Sequence, residues 1–120
     1  MAEPSEIRLP FNFEEMRDGL SQRLMTWKSL IDGLAISKDA KDACDRVLQR
    51  KQAGIDSRSQ DFNPEQFSLL LMFEIIPILQ GAAGEQTPLR VEVDELLRAI
   101  RDDLKTFFTT EHGIQMPNFF

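Results

Sequence analysis

The residues best able to do chemistry are few and scattered. Cys44 is the only cysteine and His112 the only histidine among 120 residues. A thiol becomes a useful nucleophile only beside a base and in an electropositive setting. His112 is the sole imidazole on offer and lies far along the chain. Cys44 falls on the thin apolar stripe of a helix, where a small buried residue is expected. One Cys and one His do not make a zinc site, and Glu-x-x-His does not occur. Glu111 and His112 are adjacent at a helix end, where an imidazolium meets the helix dipole favourably. No metal and no cofactor is expected.

Two carboxylate pairs, Glu14-Glu15 and Asp102-Asp103, could divide acid and base roles if their environments differed. Each stands in a charged helical stretch, so solvated surface is the expectation. Glu74 interrupts the apolar run from Leu69 to Leu79. It either pairs with an arginine of another helix or lies on an exposed strip. The strip is favoured, because even apolar helices keep one wet edge. Gly81-Ala82-Ala83-Gly84 lacks the spacing and the lysine of a phosphate loop.

Arg46, Arg50, Lys51 and Arg58 gather at the end of one helix and in the loop after it. A helix-turn-helix would need a shorter connection and a less apolar second helix. The net charge of −6 also opposes phosphate contacts, so neither nucleic acid nor an anionic membrane is the expected partner. No catalytic residue is expected, and the chain reads as a non-enzyme.

The elements that would carry these residues are helical. Residues 1–11 read as an extended arm, broken by Pro4 and Pro10. Asn12 with Glu15 forms a capping-box pattern. Phe13, Met16, Leu20, Leu24, Trp27, Ile31 and Leu34 then recur at steps of three and four, one amphipathic stripe. Gly19 and Gly33 weaken that helix but permit close approach where they face a neighbour.

Ser37 caps a second helix, predicted to end at Ala53 with Gly54 as its stop. Its stripe is thin, and charged pairs cover the rest. Residues 55–62 read as a polar loop. Asn63-Pro64-Glu65-Gln66 is a strong start signal. The third helix is apolar nearly all round, with Pro77 expected to kink or end it. Its apolar run reads as too short for a membrane span. Gly81 and Gly84 bracket a loop, and Thr87-Pro88 repeats the cap-plus-proline signal.

The fourth helix is predicted to run to about Glu111, with Arg98 pairing to Asp94 and Asp102. Residues 113–120 form an apolar tail. The fold class is therefore all-α, a small bundle of about four helices in one domain spanning 1–120. Dimerisation is a further means of completing its core.

The chain holds nine Phe, one Trp and no Tyr, more aromatic surface than one small bundle easily buries. Apolar chain ends imply docking, because free ends are usually solvated. The candidate partner-binding residues are Phe11, Phe13, Trp27, Phe67, Leu71, Phe119 and Phe120. The expected role is a non-catalytic, cytoplasmic regulator that binds another protein and forms a homodimer. An inhibitor or antiactivator sequestering a transcription factor or enzyme is one form. A secretion or assembly chaperone, a helical-bundle ligand carrier or enzyme, and a DNA-binding regulator are the alternatives.

Overall fold

A computed structural model describes residues 13–57 and 62–114. Four helices follow in order: α1 Phe13–Asp32, α2 Lys38–Asp56, α3 Pro64–Ala83 and α4 Thr87–Thr106, with a π-helical segment Phe107–Glu111 closing α4. No strand occurs among the described residues. The arm 1–11, Asn12, Arg58 and the tail from 115 lie outside the described residues.

Cross-helix contacts fix the topology. Lys28 approaches Asp45, and Gln52 donates to Ser21, so α1 and α2 run antiparallel. Arg50 and Lys51, late in α2, reach Glu74, while Gly54 shares a groove with Phe67 and Leu70, so α3 reverses again. Gln80 lies near Asp94, and Met72 shares a groove with Arg101. Arg23 bonds Asp103, and Gly19 faces Phe107. Each helix is thus antiparallel to its neighbours, and α4 closes the ring against α1.

The stripe of α1 is buried as its spacing requires: Met16, Leu20, Leu24, Trp27 and Ile31. A Cβ at Gly19 would come within 2.9 Å of Phe107 Cε1, so glycine is what lets α4 seat its ring there. The Gly33 position meets only the helix's own backbone. In α2 the Ser37 hydroxyl accepts from the Ala40 N–H at 3.2 Å, as the cap signal implies.

Gly54 does not stop α2. The helix continues to Asp56, and the Ser57 N–H bonds the Ala53 carbonyl at 3.1 Å. A glycine costs a helix about 1 kcal/mol, whereas burying an isoleucine gains roughly 1.5–3 kcal/mol. Ile55 is fully buried, so the extension wins. The expected polar loop is shorter for the same reason. Its last residue, Phe62, packs against Phe13, Phe67 and Phe108 with ring centroids 6.0, 5.5 and 6.5 Å away.

Asn63 caps α3, its Oδ1 accepting from the Gln66 N–H at 3.0 Å. Pro77 does not end the helix. It lies on the exposed side, while Leu79 and Ala83 beyond it are buried and hold the last turn to the core. Gly81 is helical too, and the loop begins only at Gly84, whose φ of 60° suits glycine. α4 starts one residue earlier than its signal: Gln86 is the N-cap and makes no side-chain cap bond, and Thr87 is already helical.

α3 is 20 residues long and, by length and composition, apolar enough to cross a membrane. The sequence counted an interrupted run, whereas the helix carries on through Pro77. A core helix passes the same test, and one face of α3 is packed against α2 and α4.

Two buried polar groups give direct checks. The Ser68 hydroxyl is fully buried with no hydrogen-bond partner among the described residues. Ser68→Ala is expected to raise stability by roughly 1 kcal/mol, through relief of desolvation and better helix propensity. A urea midpoint that stays put or falls would reject this. Burial, and then the charge of Asp32, push the Cys44 thiol up to about 11. At pH 8 the native protein should therefore resist a disulfide reagent, and react stoichiometrically only in denaturant. Fast labelling of the folded chain would contradict it.

Candidate functional site

The outer face of α3 stands out. Counted from Phe73 at 100° per residue, Leu69, Leu70, Ile76 and Pro77 fall within about 60° of it. Phe73 is 67% exposed and Leu70 43%. Leu69 and Ile76 are half-buried against the core edge. Gln66 and Gln80 close the strip at its two ends. The opposite face, with Phe67, Leu71, Ile75 and Leu79, is core. Met25, Leu30 and Val91 are exposed apolar residues on other helices. The α3 strip is the place where such residues follow each other along one face, and contiguous apolar surface of this kind marks interaction sites.

Shallow grooves flank the strip on both sides. On the α2 side, Arg50 and Lys51 each place a nitrogen 2.9 Å from a Glu74 oxygen. Glu74 is therefore a paired, half-buried carboxylate and not a residue of a free wet edge. Its pKa lies below the usual carboxylate range, chiefly through the bond from Lys51. Two of the four basic residues that gather in the sequence are thus occupied in holding α2 to α3.

On the α4 side the expected pairs of Arg98 do not form. Asp94 is held by Arg90 at 3.4 Å, and Asp102 lies 3.6 Å from Arg101. Arg98 is exposed and instead lines the groove with Met72, Ile76 and Arg101. Exposed ion pairs gain so little that Arg98 and its neighbours Arg90 and Arg101 are near-equivalent partners for these carboxylates.

The other constellation ties α4 to α1. Asp103 accepts from Arg23 Nε at 3.0 Å and from Trp27 Nε1 at 3.0 Å. Arg23 also donates to Glu111 at 2.6 Å and lies over the Phe107 ring, 4.5 Å from its centroid. His112 meets the same ring edge-on at 4.6 Å. Asp103 is therefore not the solvated carboxylate the sequence implied. A buried indole N–H needs an acceptor, and that demand was the available clue. The groups in this network are bonded to one another, and its geometry is that of a clasp.

The partner candidates fall into three sets. Trp27, Phe67 and Leu71 are buried in the bundle's own core. Phe13 and Phe67 are brought together through Phe62. Phe11, Phe119 and Phe120 lie outside the described residues. The exposed Leu70 and Phe73 lie outside this candidate set, although a helix apolar nearly all round has to leave one face uncovered. No group of three or more potential metal ligands occurs among the described residues. Comparison with protein-family models, curated proteins and solved structures returns no match.

Proposed function

We propose that this chain is a non-catalytic protein-binding regulator that docks the outer face of α3 on a partner, as an inhibitor or antiactivator covers a surface of its target. The observation behind this reading is Phe73, a phenyl ring 67% exposed at the centre of an apolar strip. Leaving such a ring in water forgoes roughly 1.5–3 kcal/mol of burial. A helix-in-groove contact recovers it through anchors at three- and four-residue spacing, the spacing of Leu69, Leu70, Phe73 and Ile76.

Leu70→Ser with Phe73→Ser tests this. The fold should be kept, since exposed substitutions usually change stability by about 0.5 kcal/mol or less each. Affinity capture with the native chain should retain a partner that the double variant loses. An unchanged set of captured proteins would sink the reading.

A further inference from the structure

We infer that the partner of the α3 face is an acidic amphipathic helix, whose apolar anchors cover Leu70, Phe73 and Ile76 while its carboxylates meet Arg98, Arg101 and Arg50. This rests on the docking reading above and names the chemistry of the occupant.

The case is the placement of charge around the strip. Level with Phe73 and Ile76, the rim carries Arg50 and Lys51 on one side and Arg98 and Arg101 on the other. Of the carboxylates at that height, Glu74 is already shared between Arg50 and Lys51, and the exposed Asp102 lies 3.6 Å from Arg101. Arg50 remains 62% exposed in that pair, so its outer nitrogens stay open to a second acceptor. Arg98 has no ion pair among the described residues, and Arg101 has only a loose exposed neighbour. Glu65 and Asp94 stand toward the two ends of the strip, and Asp94 is held by Arg90. A chain of net charge −6 thus presents a locally basic frame around its apolar face. Guanidinium groups at such a rim match carboxylates with good geometry and raise specificity and on-rate.

The same frame speaks against a second copy as occupant. An antiparallel two-fold pairing of α3 about Phe73 would bring the α4 edge of one chain to the α4 edge of the other. Arg98 and Arg101 lie near the height of the axis, so four guanidiniums would meet. Like charges facing each other across an interface are disfavoured.

The test uses the full chain and three synthetic helical peptides of about 18 residues, five turns each. They share one Leu/Phe face at i, i+3, i+4 and i+7 and carry Glu, Gln or Lys on the flanks. Anisotropy titrations at about 0.05 M and 0.5 M NaCl vary the screening. The global charge alone predicts that the Lys peptide binds best. The local frame predicts the reverse, with the Glu peptide about tenfold tighter than the Gln peptide at low salt, and the gap closing at high salt. Arg98→Glu with Arg101→Glu should invert the order while leaving the melting curve unchanged, and Phe73→Asp should remove binding of every peptide.

Equal binding of the Glu and Gln peptides, still lost in Phe73→Asp, would reject the acidic partner and keep the docking face. No binding by any peptide, or binding indifferent to Phe73→Asp, would reject both. A dimer in sedimentation that Phe73→Asp dissolves would assign the face to a second copy. Binding to neutral phosphatidylcholine vesicles without peptide binding would assign it to a lipid surface.

Discussion

Replacing Phe107 with alanine is expected to cost the fold about 3–5 kcal/mol, the range for a large aromatic removed from a packed core. A domain of this kind has a total stability of about 5–15 kcal/mol, so the variant should be marginal at best. The ring is 1% exposed and is enclosed on every side. Gly19 of α1 lies against its edge, Phe108 packs at 5.1 Å and His112 at 4.6 Å, and Arg23 caps one face. The site has little means of collapse. Gly19 has no side chain to move inward, and Arg23 is fixed by two carboxylates. The cavity term should therefore add fully to the lost transfer energy. Urea unfolding gives the number, and a loss under about 1.5 kcal/mol would show that the ring is not so held. Phe73→Ala is the internal contrast. The same residue type on the outer face of α3 should change stability by about 0.5 kcal/mol or less.

Phe107 and Phe108 stand three and four residues after the buried Leu104, so both continue the core stripe of α4. The last turn widens to π geometry, and both rings are buried. The Ile114 N–H then bonds the Phe108 carbonyl at 2.8 Å, and the Gly113 N–H bonds Thr109 at 3.1 Å. Each bond spans one residue more than in a Schellman motif, as a widened turn requires. Gly113 takes φ 68°, the left-handed conformation that such a cap needs.

This ending shows where sequence reasoning stops. The stripes of α1 and α4 and the caps Ser37 and Asn63 are local facts, carried by spacing and by side chains that bond their own helix. They were legible. The misplaced boundaries were decided by burial elsewhere in the bundle. Gly54 and Pro77 look like stops until Ile55, Leu79 and Ala83 find the core, and the gain from that burial exceeds the local penalty. Gln86 takes the cap position that Thr87 advertises, and it supplies no side-chain bond. Asp103 and Glu74 resemble many other surface carboxylates in the sequence. Their partners lie on different helices, and composition does not say which helix faces which. The α3 strip was half legible. A helix apolar nearly all round implies uncovered surface, but the choice of Phe73 over Leu71 as the outward residue depends on the register in which α3 packs.

The second large effect should come from Asp103→Ala, at about 2–3 kcal/mol, the sum of an orphaned buried donor and a weakened ion pair. The donor is the Trp27 indole N–H, in a residue 2% exposed. Leaving such a group without an acceptor costs about 1–3 kcal/mol. The ion-pair share is smaller, because Arg23 and Asp103 keep 25% and 34% side-chain exposure and Arg23 still holds Glu111. Salt separates the two. Screening in about 0.5 M NaCl should erase the ionic share of the difference between native and variant chains, while the indole share persists. Trp27 is the sole tryptophan, so its emission reports the site directly and should shift to the red as the α1–α4 seam loosens. Asp103→Asn distinguishes geometry from charge. Its amide oxygen can still accept from the indole, so it should recover most of the loss. If Asp103→Ala instead unfolds within about 0.5 kcal/mol of the native chain, the clasp is not what holds α4 to α1. Apolar packing, with Phe107 against Gly19 and Trp27 near Ile100, would then hold that seam.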